Sequence, residues 1–445
     1  MSSQTADISQ RQKVEVSPLN PPNDLKYSFK KGNPIVSFTI DSQDKLLVGS
    51  SVRLNGTLIV NKAGGGQVNN SANKGGAAVE VRLNERIGVH SCIQQITFSS
   101  QSSNQTIEDV RQYGRYLASV LPTTHSASDF NTNLQMKGLH SYKNDITGNL
   151  INVPVDFSIP FLTGFLNSGE PIPLSQVGGV NVQLSLAPDS MVLSGANAAD
   201  GVGSFYELSN LTLTYDLLVP NSAALTAMQS QGSGSLSYNS INHLYSVINT
   251  NESTSSFNLG SGNTLSTIHN FIPSNEINNY AVDSFATKQL RNSPYAKSDD
   301  QVPTEVDFIK SGVRFPLNYT VDNRVAQEQG TPSSQVIRNF MNAVKPFNKS
   351  NHQLNGLATN LGKSDEVYAD TELDIDTSRV VDEEEVWGVG VAMDNLSRVG
   401  VNFKNQNYAL RIRSGLNGNS PNAMFSYILS KNTLMWSPQG IQVVS

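Results

Sequence analysis

The densest group of side chains that could bind a metal ion lies in an acidic segment, residues 365–385. Four of its carboxylates alternate along the chain: Asp370, Glu372, Asp374 and Asp376. On an extended backbone they would share one face, and their oxygens could bind a calcium ion. The segment lacks the glycine and the distal glutamate of an EF-hand loop, and closely spaced charges also protect strand edges from pairing. We therefore expect a solvent-facing strand or loop edge here and predict no metal site.

Other sequence patterns that support catalysis are missing. The six histidines are scattered singly, without the His-Glu-x-x-His or Cys-x-x-Cys spacing of common zinc sites. Residues 356–364 resemble a phosphate loop, but five residues separate the two glycines where four are needed. A glycosidase would need two carboxyls on separate strands that face each other across a cleft. We predict no catalytic residue and no cofactor, and expect that the protein is not an enzyme.

Aromatic residues and the single cysteine could also carry chemistry. Trp387 and Trp436, with Tyr408 and Tyr427, could form a platform on which sugars stack. Aromatic residues make up 7% of the chain, however, and packing in a core or an interface is the favoured role for each of these four. Cys92 has no second cysteine with which to form a disulfide, and we expect a buried apolar side chain on a strand.

The composition indicates a large protein with a mostly neutral polar surface. The 445 residues include 31 Lys and Arg against 37 Asp and Glu, so the formal net charge is −6, which argues against a basic nucleic-acid-binding domain. Charged residues make up 15% of the chain and hydrophobic residues 38%, enough for a substantial core. The first residues lack the apolar stretch of a signal peptide, and we expect a protein made inside a cell.

The hydrophobic pattern that must position these residues is mainly that of β-strands. Short β-branched or alternating runs, separated by turn residues, occur in the first half at 35–40, 46–60, 79–83, 93–98, 153–159, 180–186 and 208–218. Between them, Thr106 could cap an amphipathic helix, since Ile107, Val110, Tyr113 and Leu117 recur at helical spacing. We predict antiparallel β-sheet interrupted by this one helix.

The domain organisation follows from breaks in this pattern. Residues 1–26 are polar and aperiodic, and we predict an extended arm without a core that orders against a neighbour. A break near Pro220 predicts a first domain at 27–220 and a second at 221–445, with 221–235 connecting them. The second half repeats the plan of strands around one amphipathic helix, which Thr331-Pro332-Ser333 opens and whose apolar face includes Val336, Phe340 and Val344. The prediction is an all-β fold of two tandem β-sandwiches with one principal helix inserted in each.

Four stretches resemble double jelly-roll major capsid proteins, most of all those of polinton-like viruses and virophages. They are PIPLSQVGGV at 171–180, YELSNLTLTYDL at 206–217, DVRQYGRYL at 109–117, and YALRIRSGL at 408–416 together with SPN at 420–422. These are packing and turn motifs rather than catalytic ones. The plan to which they belong covers nearly the whole chain, from about residue 28 to residue 445.

The resemblance implies two eight-stranded jelly rolls and a structural role in the virion of a double-stranded DNA virus. It implies a homotrimer whose six jelly rolls form a pseudohexameric tile, and an icosahedral shell built from such tiles inside the host cell. Partners would be further copies of the chain, with penton and minor capsid or cement proteins. A negatively charged tile would not bind DNA directly or sequence-specifically. Contact with an internal membrane is left open.

Two other classes of protein fit the residues without the resemblance. One is a carbohydrate-binding or adhesion protein built from two β-sandwiches, which would remain a monomer or a small oligomer. The other is an all-β glycoside hydrolase that depends on a facing pair of carboxylates. The mass of the purified protein and its turnover of a glycoside would separate these classes from a capsid protein.

Overall fold

The computed structural model describes most of the chain, in separate stretches. These are 8–62, 68–69, 79–84, 87–124, 154–195, 202–248, 252–258, 263–280, 284–285, 303–315, 320–322, 334–347, 389–393, 400–404, 406–414 and 422–445. The acidic segment 365–385, with Asp370, Glu372, Asp374 and Asp376, lies outside them, as do residues 356–364 and Trp387. The predictions that the acidic segment binds no metal ion, that residues 356–364 are not a phosphate loop and that Trp387 has a packing role therefore stay predictions.

The first half of the chain is mainly extended. Its strands are β1 (Ile8–Val16), β2 (Lys26–Tyr27), β3 (Ile35–Ile40), β4 (Leu46–Lys62), β5 (Val68–Asn69), β6 (Val79–Leu83), β7 (Ile93–Ser100), β8 (Thr106–Arg111), β9 (Val155–Pro160), β10 (Ile172–Pro173), β11 (Val180–Leu186), β12 (Leu193–Gly195) and β13 (Ser204–Pro220). Its helices are α1 (Tyr113–Thr124), α2 (Leu174–Val177) and α3 (Asp189–Val192), with a 3₁₀ turn at Gly88–Cys92.

The second half has the same character. Helix α4 (Ser222–Gln231) precedes it, and its strands are β14 (Gly234–Ile248), β15 (Glu252–Asn258), β16 (Asn263–Pro273), β17 (Pro303–Lys310), β18 (Val313–Arg314), β19 (Thr320–Asp322), β20 (Val389–Ala392), β21 (Val401–Asn402), β22 (Asn407–Ser414), β23 (Asn422–Ser437) and β24 (Gly440–Val444). Helix α5 (Ser334–Val344) and a 3₁₀ turn at Lys345–Phe347 lie between β19 and β20.

Both halves have the strand order of a jelly roll. In the first half, one sheet runs β1-β13-β4 with β9 on the far side of β4, and the other runs β3-β11-β7-β8. If the eight principal strands are numbered in chain order, these sheets read 1-8-3-6 and 2-7-4-5, which is the jelly-roll arrangement. In the second half, β14-β23-β16-β20 and β15-β22-β17-β18 repeat the same two orders. The predicted fold of two tandem jelly rolls is confirmed.

The core of each jelly roll lies between its two sheets because the strands alternate between buried and exposed side chains. In β11 the alternate residues Val180, Val182 and Leu184 are fully buried, and β3 contributes Phe38 and Ile40 in the same way. Such alternation is the signature of a half-buried strand. The principal helices α1 and α5 each lie in the connection between the fifth and sixth strands, and they contact each other.

The predicted free arm is wrong for Ile8–Val16. These residues form β1, which pairs antiparallel with β13 from Ile8 opposite Pro220 to Val16 opposite Leu213. The pattern was missed because Val14 and Val16 of this edge strand pack partly against the core, while the six residues between Ile8 and Val14 and between the two valines are polar. A strand with only two apolar side chains packed against the core shows almost no hydrophobic periodicity.

The predicted start of the first helix is also wrong. Thr106–Arg111 is strand β8, paired with β7, and the helix begins only at Tyr113. Gln112 has a φ of 52°, in the left-handed region, and this conformation separates the strand from the helix. Ile107 and Val110 are both buried on β8. They are three residues apart, and because this spacing also fits one face of a helix, it wrongly indicated a helix.

Substitutions in β1 distinguish a strand of the sheet from a free arm. Val14→Ala is expected to lower the free energy of unfolding by about 1 kcal/mol, because it removes a partly buried side chain from the core. Lys13→Ala, on the exposed face of the same strand, should change it by less than about 0.5 kcal/mol. Urea denaturation measures both. An equal, negligible effect of the two substitutions would contradict the placement of β1.

Candidate functional site at the junction of the two sandwiches

The two jelly rolls meet in a continuous hydrophobic core. A single cluster of buried side chains includes residues of both halves. Across the junction, the ring of Phe165 lies 5.8 Å from that of Tyr238, and the ring of Tyr116 lies 5.6 Å from that of Tyr427. Phe347, in the turn after α5, contacts Tyr116 from a third side at 5.9 Å. Aromatic packing of this kind holds the two jelly rolls in one fixed arrangement.

A buried carboxylate, Glu108 on β8, connects the backbones of the two jelly rolls. It is 2% exposed. Its Oε1 accepts hydrogen bonds from the backbone N–H of Gly164 (3.1 Å) and of Ile241 in β14 (3.1 Å), and its Oε2 accepts one from Phe165 (2.8 Å). Because β14 is the edge strand of its sheet, the outward N–H of Ile241 needs an acceptor, and the carboxylate of the other jelly roll provides it.

The environment of Glu108 shifts its titration. Burial, with a smaller contribution from the neighbouring Asp109, raises the pKa of this carboxyl to about 7 against the opposing effect of the three N–H donors. The folded protein therefore keeps this proton up to a higher pH than the unfolded chain does. The contribution of this shift to the free energy of unfolding is complete below pH 4.5, the ordinary pKa of a glutamate, and is lost as the pH rises to about 7.

Tyrosine hydroxyls complete the polar part of the junction. Tyr238 donates to the carbonyl of Ile107 at 2.5 Å, and Tyr427 donates to the carbonyl of Gln112 at 3.1 Å. Further donors cross the junction from the first half: Arg115 to the carbonyl of Ser284, and Tyr116 to that of Phe347. These contacts satisfy polar groups that would otherwise be buried without partners.

Two clefts flank the line of contact. One of about 400 Å³ is lined by Glu108, Asp109, Arg111 and His243, among others. The other, of about 330 Å³, is lined by Thr163, Tyr238 and Lys431, among others. Glu108 and Asp109 are adjacent carboxylates, but both are engaged: Asp109 accepts hydrogen bonds from Gln95, Thr97 and Arg111. Glu108 thus connects the two jelly rolls through Ile241, while the donors to Asp109 belong to its own jelly roll.

His243 makes the junction sensitive to acid. Burial, together with the positive charges of Arg111 and Arg115, lowers the pKa of this imidazole to about 4. Its Nε2 atom is buried and has no hydrogen-bond partner among the described residues. Protonation would thus place an unpaired cation beside two arginines.

We expect protonation of His243 to lower the free energy of unfolding as the pH falls. Its folded-state pKa lies below the ordinary value of about 6.5, so the stability contributed by the neutral ring is full above that value and is lost between 6.5 and 4. Between pH 7.5 and 5.5 the protein should lose about 1 kcal/mol of unfolding free energy relative to His243→Gln. Urea denaturation of both proteins at the two pH values measures this difference. Parallel pH profiles would contradict the assignment.

The remaining residues singled out in the sequence pack in the core. Tyr408 and Tyr427 are fully buried and Trp436 is 9% exposed, so these three do not form a surface platform for sugars. Cys92 is fully buried at the end of a 3₁₀ turn rather than on a strand, and burial raises the pKa of its thiol. In the part of the chain that the structure describes, no three His, Cys, Asp or Glu residues are placed to hold a metal ion. None of the described helices has the length and apolar character needed to cross a membrane.

Sequence reasoning missed Glu108 as a key residue. It was assigned to a helix, and its function depends on Ile241, which is 133 positions away along the chain. The sequence contains one indication, because Glu108 lies between the apolar residues Ile107 and Val110. A charged side chain that is buried with such neighbours needs specific hydrogen-bond partners.

Comparison with solved structures agrees with the jelly-roll topology. No protein-family model and no curated protein matches the chain. The Faustovirus major capsid protein matches with a TM-score of 0.59 and 10% identity, over 98% of this chain and 92% of that one. A chain of the PBCV-1 virus capsid matches with a TM-score of 0.58 and 13% identity, over 98% and 97%. A chain of the Sputnik virophage matches with a TM-score of 0.57 and 9% identity, over 98% of this chain and 88% of that one. The chain has the double jelly-roll fold of viral capsid proteins.

Proposed function

We propose that this protein is the major capsid protein of a double-stranded DNA virus of the polinton-like or virophage type. Three copies form a tile with six jelly rolls, and the tiles build an icosahedral shell. The observation that carries the proposal is the repeat of one jelly-roll strand order in both halves, over nearly the full length of the capsid chains that share the fold. Two similar units in each copy give a trimer with near-sixfold symmetry.

The junction supports this role physically. A pseudohexameric tile requires that the two jelly rolls of each copy keep one fixed angle. The shared core and the hydrogen bond from Ile241 to Glu108 restrict that angle, and the bonds from Gly164 and Phe165 fix the position of the carboxylate within the first jelly roll. The mechanism is geometric rather than catalytic: each copy presents complementary surfaces, and many weak contacts add up over a closed shell. The virion is the corresponding location.

The charge of the chain bears on its partners. With a net charge of −6, the tile is not expected to attract packaged DNA electrostatically. Contact with the genome would then go through a basic protein or an internal membrane. Closure of an icosahedral shell also requires pentons, and minor capsid or cement proteins are natural partners between tiles.

The mass of the purified protein tests the proposal. We expect light scattering to give 144.3 kDa, three times the 48.1 kDa of one chain, or a still larger assembly. A monomer of 48.1 kDa that does not assemble at any salt concentration would contradict it. Retention on a glycan array by such a monomer would favour the carbohydrate-binding alternative.

A further inference from the structure

Strand β24 has a free edge. It pairs with β23 in a tight hairpin, from Ser437 opposite Gly440 to Thr433 opposite Val444. Within the described residues its other edge pairs with no strand. The side chains of β24 alternate between exposed and partly exposed along the strand. A row of backbone N–H and C=O groups therefore faces away from the sheet.

The hairpin geometry identifies which backbone groups lie on this edge. Two residues separate Ser437 from Gly440, and in such a hairpin the residues that flank the loop exchange hydrogen bonds. Every second residue then does the same, so Gly440, Gln442 and Val444 bond to β23. The N–H and C=O of Ile441 and Val443 point outward.

The edge lacks the features that prevent strands from pairing. β24 reads Gly-Ile-Gln-Val-Val, without a charged residue or a proline, and its register with β23 has no bulge. The edge strand β1, in contrast, carries Arg11, Lys13 and Glu15 on its exposed face. Charges of this kind on edge strands block association between sheets. β1 is protected in this way, and β24 is not.

The edge of β24 is complementary to itself. A two-fold axis at Gln442 places Ile441 opposite Val443 of a second copy, and the reverse pair on the other side of the axis. All the outward N–H and C=O groups of Ile441 and Val443 are then satisfied, and Ile441 and Val443, which pack partly against the core, cover each other. The two Gln442 side chains meet at the axis and can hydrogen-bond to each other.

We propose that β24 pairs antiparallel with β24 of a second copy of this chain, centred on Gln442. The strand has five residues, so the contact falls below the roughly 1,000 Å² of a stable isolated interface. It gains strength only where many copies are joined. In that setting it links neighbouring capsomers, and this role rests on the proposed function.

Cysteine cross-linking tests the register. At Gln442, a non-hydrogen-bonded position of the new pair, the two Cα atoms would lie about 4.5 Å apart, within the range of a disulfide. At Val444, on the same face, they would lie about 14 Å apart. The natural Cys92 is buried and does not interfere. With oxidised glutathione as the oxidant, Gln442→Cys should yield at least ten times more reducible covalent dimer than Val444→Cys.

A second variant separates pairing from random collision. Adding Val443→Pro to Gln442→Cys removes one outward N–H and leaves the bonds to β23 intact, so the covalent dimer should be lost. Equal cross-linking at 442 and 444, no cross-linking at 442, or cross-linking that survives the proline would each overturn the pairing. Light scattering and imaging of the unmodified protein report on the capsid role separately. Cross-linking of a chain that never forms trimers would support the pairing and contradict the proposed function.

Discussion

Glu108→Ala is expected to lower the free energy of unfolding by about 4 kcal/mol. The substitution leaves the backbone N–H groups of Gly164, Phe165 and Ile241 without their acceptor in a buried junction. Each buried donor without a partner costs about 1–3 kcal/mol, and part of this loss is offset because the carboxylate no longer has to be desolvated. Because the connection between the jelly rolls is weakened, we also expect one unfolding transition to separate into two. Urea denaturation followed by tryptophan fluorescence and by circular dichroism measures both effects.

Two further variants make this result specific. Glu15→Ala removes an exposed carboxylate on β1 and should change stability by less than about 0.5 kcal/mol. Glu108→Gln retains one acceptor oxygen but places an NH₂ group against a backbone donor, so its effect should lie between the other two. If Glu108→Ala behaved like Glu15→Ala, the carboxylate would not hold the junction together.

Gly164→Ala is expected to have a similar or larger effect, about 3–5 kcal/mol. A Cβ at this position would overlap the backbone carbonyl of Asn239 in β14 of the other jelly roll. Backbone cannot move aside as a flexible side chain can, so the two jelly rolls would have to separate and break the bonds to Glu108. The shift in the urea midpoint measures the destabilisation, and light scattering of the same variant should show fewer assembled trimers.

Gly169→Ala is the matched control for this substitution. Gly169 lies in the same connection, has a φ of 87°, and has open space where a Cβ would be added. Its alanine variant should therefore show only the cost of a left-handed backbone, about 1–2 kcal/mol, with normal assembly. Equal destabilisation and equal assembly of the two variants would show that contact between the jelly rolls at Gly164 is unimportant.

Local patterns predicted the strands better than their connections. Alternation in β3 and β11 follows directly from burial on one face, so these strands could be placed within a residue or two. β1 could not be predicted because pairing with β13, about 200 residues away, stabilises it more than its own apolar side chains do. The jelly-roll strand order likewise depends on pairings between distant strands, and in the sequence only the resemblance to capsid proteins indicated it.

The junction could not be predicted for the same physical reason. Glu108, Tyr238 and Ile241 are ordinary residues in their local sequence, and their significance comes from contacts between the two halves. Which carboxylate is buried, and which backbone donors it meets, depends on tertiary packing that no local spacing encodes.

Negative-stain electron microscopy of the purified protein tests the capsid assignment most directly. The protein is imaged from the peak whose mass has been measured, at low and at high salt. We predict particles with a pseudo-hexagonal outline and three-fold symmetry, and closed icosahedral shells where tiles associate. Uniform single particles of the size of one 48.1 kDa chain under all conditions would contradict the assignment.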